Sequence, residues 1–152
     1  MMSSYSQIYL QMVFAVQGRE SFVEEKFRNE FEKYICGTIT NKGCKVYAIY
    51  CNPDHIHIML SLKPSISVSD LVNVIKSNSS KFFNEKGWVK NKFSWQSGYG
   101  IFSYGRSQVD VVCKYILNQS EHHKKVSFKD EFMELLKRFE IKYDEKYMFK
   151  WL

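Results

Sequence analysis

Two histidines one residue apart, His55 and His57, are the side chains of this sequence best arranged to hold a metal ion. They open the segment His55 to Leu62, whose aliphatic run predicts a strand. Alternation along a strand puts both imidazoles on one face and turns Ile56 to the other. At about 7 Å along the strand they can share one divalent cation. The preceding Asn52-Pro53-Asp54 reads as a turn, so the pair stands near a strand end, open to substrate.

Farther on, Tyr115 and Gln119 stand one helical turn apart and project from the same helix face. Such a pair is also what a core tyrosine and its polar neighbour look like. Beside two histidines it becomes a set of tools. The Gln119 carbonyl oxygen can serve as a third ligand, leaving further positions to water or phosphate oxygens. Tyr115 can then attack a phosphorus atom that the ion has polarised. No dedicated base for Tyr115 can be picked out. Asp54 can orient a histidine from behind or simply complete its turn. His122 and His123 follow Gln119 closely and could contact phosphate, but a solvated helix end whose cations oppose the dipole is the plainer reading. Glu121 is an alternative oxygen ligand, poorly placed relative to Tyr115. Cys51, four residues before His55, lacks the paired ligands of a structural zinc site.

The elements that must position these groups follow from hydrophobic periodicity. Gln7–Val16 predicts a strand, and helical spacing from Ser21 to about Asn41 predicts a helix ended by Asn41-Lys42-Gly43. Cys44–Cys51 and His55–Leu62 pair as a hairpin, and Ser67 to Asp70 is a capping box opening a helix that Gly87 stops. Phe93–Tyr104 predicts a fourth strand, bent or closely approached at Gly98 and Gly100. Ser107 to Asp110 reads as a second capping box, with a helix running through Tyr115 to about Ser120. Ser127 to Asp130 opens a last amphipathic helix, and the tail to Leu152 is apolar enough to pack on the body or on a partner subunit. The order β-α-β-β-α-β, then helices, predicts an α+β fold: a ferredoxin-like, RRM-like antiparallel sheet with helices on one face and additional C-terminal helices.

Composition narrows the functional classes. The 152 residues fit one domain, 45% of them hydrophobic and 25% charged, as in a globular protein. No apolar run could cross a bilayer, and the first residues lack the basic start and apolar stretch of a signal peptide, which predicts a cytoplasmic protein with no membrane partner. Lys and Arg exceed Asp and Glu, giving +6, a balance that favours a polyanionic partner. The 12 Phe and 10 Tyr either leave rings exposed to stack unpaired bases or form an aromatic-rich core or dimer interface. Lys76, Lys81, Lys86, Lys90, Lys92 and Arg106, with Trp88, Trp95 and Tyr99 among them, either contact phosphates and bases or form a solvated face.

His55-Ile-His57 followed by Tyr115-x-x-x-Gln119 resembles the single-tyrosine HUH transposases of the IS200/IS605 type. The likeness runs over nearly the whole chain: the Asn52-Pro-Asp-His-Ile-His57 block, Lys63-Pro-Ser-Ile-Ser-Val-Ser69, and Lys114-Tyr-Ile-Leu-Asn-Gln-Ser-Glu-His-His123. The resemblance implies one transposase (HUH nuclease) domain over 1–152 with an RRM-like core. It implies that Tyr115 forms a 5′-phosphotyrosine link with single-stranded DNA and releases a 3′-OH, with His55, His57 and Gln119 holding Mg2+ or Mn2+. It also implies a homodimer that recognises hairpins near element ends and can complete each site with the partner's tyrosine helix.

Three other readings remain open at this level. A domesticated nuclease processing palindromes would use the same chemistry. A non-catalytic RRM-like module would have no need of two same-face histidines with Tyr115 and Gln119. A replication-initiator or relaxase nuclease is usually a longer chain.

Overall fold

A computed structural model describes residues 4–18 and 22–151 of the chain. The strands among these residues are β1 (Tyr9–Ala15), β2 (Lys45–Cys51), β3 (His55–Ser61) and β4 (Gly100–Tyr104). The α-helices among the described residues are α1 (Glu25–Asn41), α2 (Val68–Lys86), α3 (Val109–Leu117), α4 (Gln119–His122) and α5 (Phe128–Arg138). The expected helix start at Ser21 lies outside the described residues, as does Leu152 at the end of the tail.

The strands form one sheet in the order β2-β3-β1-β4 with every neighbouring pair antiparallel. With α1 and α2 as crossovers this is the ferredoxin-like arrangement that the order of elements predicts. Both central strands are buried, and their alternation sorts side chains by chemistry. Met12 and Phe14 of β1, with Ile56, Ile58 and Leu60 of β3, join a core shared with Phe31, Ile35, Leu71 and Phe83 of α1 and α2. The opposite face carries Gln11, Val13 and Ala15, paired in register with Met59, His57 and His55. A bulge between Val46 and Ala48 resets the phase of β2, so that Ala48 joins Met59 under Val109, Val112 and Ile116 of α3. Thus α1 and α2 cover one face of the sheet, and the added helices cover the face bearing the histidines.

Several local expectations hold at atomic detail. Ser67 Oγ accepts from the Asp70 amide and Ser127 Oγ from the Asp130 amide, both at 3.1 Å, capping α2 and α5. Gly87 ends α2 in the left-handed conformation, at φ 67°. The aromatic excess is largely a core: Phe31 lies edge-on to Phe83, Phe93 and Trp88 and stacks on Trp95. Base stacking by Trp88 and Trp95 is therefore corrected, since Trp88 packs against Phe27, Phe82 and Phe83, and the Trp95 indole donates to Ser79 Oγ at 2.9 Å.

Three element boundaries differ from expectation. The fourth strand begins only at Gly100; Phe93–Tyr99 is irregular, touching the sheet through a bridge of Val16 with Trp95. Lys76 holds that segment, donating to the carbonyls of Gln96 (2.8 Å) and Gly98 (2.6 Å), which a ladder partner would otherwise satisfy. Ser107 is not a cap. It lies within a 3-10 turn, Arg106–Gln108, whose Gln108 Oε1 accepts from the Gly105 amide, and the α-helix starts at Val109. That helix is also not continuous to Ser120: it breaks at Asn118, and α4 restarts at Gln119. The tail packs as expected at Phe149, which meets Phe128 and Phe132, while Tyr147 stays exposed.

Candidate active site

The site is built on β3, where the turn at Asn52-Pro53-Asp54 is closed by the Asn52 amide donating to the His55 carbonyl at 2.7 Å. From there the alternation of β3 delivers both imidazoles to one face, with ring centroids 5.1 Å apart. Above them stand Tyr115 near the end of α3, Gln119 at the start of α4, His123 just beyond it and Glu131 on α5. His55, His57, Gln119 and Glu131 are at most 3% exposed, so each needs a polar partner inside the protein.

Those partners form one network. His55 Nδ1 lies 2.6 Å from Asp54 Oδ1, His57 Nδ1 2.7 Å from Gln11 Oε1, and His123 Nδ1 2.7 Å from the Val126 carbonyl. Every one of these oxygens is an acceptor, so each Nδ1 carries the hydrogen, and each Nε2 donates to a neighbour when its ring is protonated and offers a lone pair when the ring is neutral. Gln11 is held in that orientation because its Nε2 donates to the Tyr104 hydroxyl at 2.8 Å. The three Nε2 atoms and one Glu131 oxygen lie within 4.8 Å of one another. Such a donor set, with the far nitrogen of each imidazole anchored, fits a divalent cation.

Glu131 joins the two halves of the site. Its Oε1 is 2.8 Å from His57 Nε2, 3.1 Å from His123 Nε2 and 3.3 Å from His55 Nε2. Its Oε2 accepts from the Tyr115 hydroxyl and, at 2.9 Å, from Gln119 Nε2. Gln119 Oε1 in turn accepts from Asn52 Nδ2 at 3.0 Å. Burial would raise the Glu131 carboxyl, but the charge of His57 and hydrogen bonds from His123, His55 and His57 outweigh it and hold it far below the usual carboxylate range. Burial, the largest influence on Tyr115, joins the Glu131 charge in pushing the phenol well above its ordinary value. Burial also pulls His57 down, whereas for His55 the bonds to Asp54 and Glu131 overcome burial and raise it.

Residues 4–119 match the family described as "Transposase IS200 like". The chain belongs to that family. Among its relatives is the transposase for insertion sequence element IS200 of Salmonella typhimurium, 29% identical over 116 residues, which cover 70% of this chain and 72% of that one. The ISDra2 transposase TnpA of Deinococcus radiodurans is 23% identical over 125 residues, 78% of this chain and 86% of that one. In fold, the transposase resembles the crystal structure of a candidate transposase from Deinococcus radiodurans, with TM-score 0.61 and 17% identity over 78% of this chain and 95% of that one. It also resembles a REP-associated tyrosine transposase bound to a REP hairpin, with TM-score 0.59 and 18% identity over 82% of this chain and 76% of that one.

In this DNA transposase all four residues singled out from sequence, His55, His57, Tyr115 and Gln119, converge on Glu131. Asp54 does orient His55, and His123 reaches into the site, whereas Glu121 turns outward to Lys124. Cys51 is buried beside its own turn, where Sγ approaches the Asn52 carbonyl at 3.5 Å. Glu131 escaped the sequence reading. Its signal was present: it falls between Phe128 and Phe132 on the apolar face of α5, where a carboxylate is costly without a partner. Gln11, an amide in the hydrophobic β1, is the second residue of this kind.

Proposed function

We propose that this transposase cleaves and rejoins single-stranded DNA at the ends of a mobile element through a 5′-phosphotyrosine on Tyr115. The observation that carries the reading is the meeting of the Tyr115 hydroxyl with the two-histidine cluster across one carboxylate in a single chain. His55, His57 and Gln119 are the residues that would hold Mg2+ or Mn2+, with Gln119 Oε1 exchanging its contact with Asn52 for the ion. When bound, the ion offsets negative charge on the scissile phosphate and eases loss of the Tyr115 proton.

The chain's own residues do the rest. Glu131 Oε2 orients the phenol by accepting its hydrogen bond, so the oxygen faces the cluster rather than solvent. The Tyr115 oxygen forms a bond to phosphorus while the bond to the 3′ oxygen breaks, and that oxygen leaves as a hydroxyl. Because the phosphotyrosine retains the energy of the cut phosphodiester, a second 3′-OH can reverse the step on a new strand.

The IS200 relatives support element ends as the substrate, and the neighbour bound to a REP hairpin supports hairpin DNA as its form. Val111 and Leu117, apolar yet exposed on α3, support a homodimer. Among the described residues no helix is long and apolar enough to cross a membrane, in keeping with action on DNA in the cytoplasm. We read 1–152 as one domain, because α5 and the tail pack Phe132 and Phe149 into the main core.

The test incubates the protein with single-stranded, hairpin-containing element ends and Mn2+. A covalent protein–DNA band should appear on a denaturing gel and vanish in Tyr115→Phe. Undiminished cutting by Tyr115→Phe would overturn the nucleophile assignment.

A further inference from the structure

The family match ends at Gln119, yet two of the four converging donors, His123 and Glu131, lie beyond it. We propose that His123 and Glu131 join His55, His57 and Gln119 as metal ligands here, so that three imidazoles and one carboxylate beside the Gln119 amide oxygen select a transition-metal dication over Mg2+. The inference rests on the metal-dependent reading above and extends its ligand set.

Four features support it. First, His55 Nε2 and His123 Nε2 face each other at 3.1 Å. With both Nδ1 hydrogens committed to Asp54 and Val126, two neutral rings would set lone pair against lone pair, an arrangement that a shared cation resolves. Second, the same point receives Glu131 Oε1, at 2.8 to 3.3 Å from the three nitrogens. Ligand atoms bound at about 2.1 Å to one ion stand roughly 3 Å apart. Third, every ion-pair partner of Glu131 among the described residues is a histidine, so a buried carboxylate has no fixed cation from Lys or Arg. Fourth, the far nitrogen of His123 is anchored like those of His55 and His57, the arrangement that fixes a ligand's tautomer and direction. Imidazole-rich sites favour first-row transition metals, whereas Mg2+ prefers oxygen ligands and retained water.

The test is metal binding, read without DNA. Purified wild-type protein is titrated calorimetrically with Mn2+ and Mg2+, and bound Mn2+ is examined by electron spin-echo modulation for coordinated imidazole nitrogen. The expected result is tighter Mn2+ than Mg2+ binding and three coordinated imidazoles. His123→Ala should lower that number to two, and His123→Ala and Glu131→Gln should each weaken Mn2+ by at least about tenfold. Glu121→Gln, outside the cluster, should leave Mn2+ affinity as it was. Only two imidazoles in the wild-type spectrum, or wild-type affinity in both folded variants, would overturn the proposal. The wild-type spectrum decides the matter even if a variant fails to fold. Formation of the Tyr115–DNA band alongside a two-imidazole spectrum would remove His123 and Glu131 from the ligand set and leave the proposed function standing.

Discussion

The Tyr115 ring lies 6.1 Å from the His57 ring of its own chain, edge to face, with Glu131 bonded to both side chains. The proposed nucleophile and the proposed metal-binding pair therefore lie together within one protomer.

This arrangement predicts catalysis in cis. Mixing Tyr115→Phe protein with His57→Ala protein should yield no more covalent DNA adduct than either alone. Recovery of adduct on mixing would show instead that the tyrosine helix crosses to the partner subunit.

Asp54→Ala should weaken divalent-ion binding by roughly 10–100-fold, because an imidazole that loses the acceptor at Nδ1 loses its fixed tautomer and direction. The bond at stake is the 2.6 Å contact from His55 Nδ1. Calorimetric titration with Mn2+ checks this, and unchanged affinity would show that Asp54 only completes its turn.

Gly100 should not tolerate a side chain. A Cβ there would stand 2.7 Å from the Phe132 ring of α5. Gly100→Ala should cost about 1–3 kcal/mol by overpacking, measured by urea denaturation, and Phe132→Leu should recover part of the loss. Since α5 also carries Glu131, the same substitution should reduce adduct formation.

Stability should rise with alkaline pH through Lys76. Burial lowers its ammonium to about 8, below the value of about 10.4 for an unfolded chain. Between those values the unfolded state binds more protons, so this group disfavours folding fully below pH 8 and progressively less above it. Urea melts at pH 7 and 9.5 should show wild type gaining on Lys76→Met, and parallel changes in the two proteins would contradict the prediction.

Most of the scaffold was legible in the order of residues. Period-two runs in Tyr9–Ala15 and His55–Ser61, the caps at Ser67 and Ser127 and the stop at Gly87 are local features, and local physics sufficed to place them. The irregular stretch before Gly100 was misread because its carbonyls are satisfied by a lysine from α2 rather than by a strand, a partnership no short window contains. The Ser107 cap was misread because the tighter turn closed by Gln108 displaced it.

By itself the sequence determined the chemical alphabet of the site: two imidazoles on one strand face, set by short-range periodicity, and a phenol and an amide four residues apart on a helical face that the break at Asn118 divides between α3 and α4. Tertiary structure alone decided that these two faces meet, and that they meet through Glu131 and His123. Those residues reach the histidines from 74 and 68 positions away. Proximity at that separation comes from how α4 and α5 pack over the sheet, which depends on the whole core and not on any local pattern.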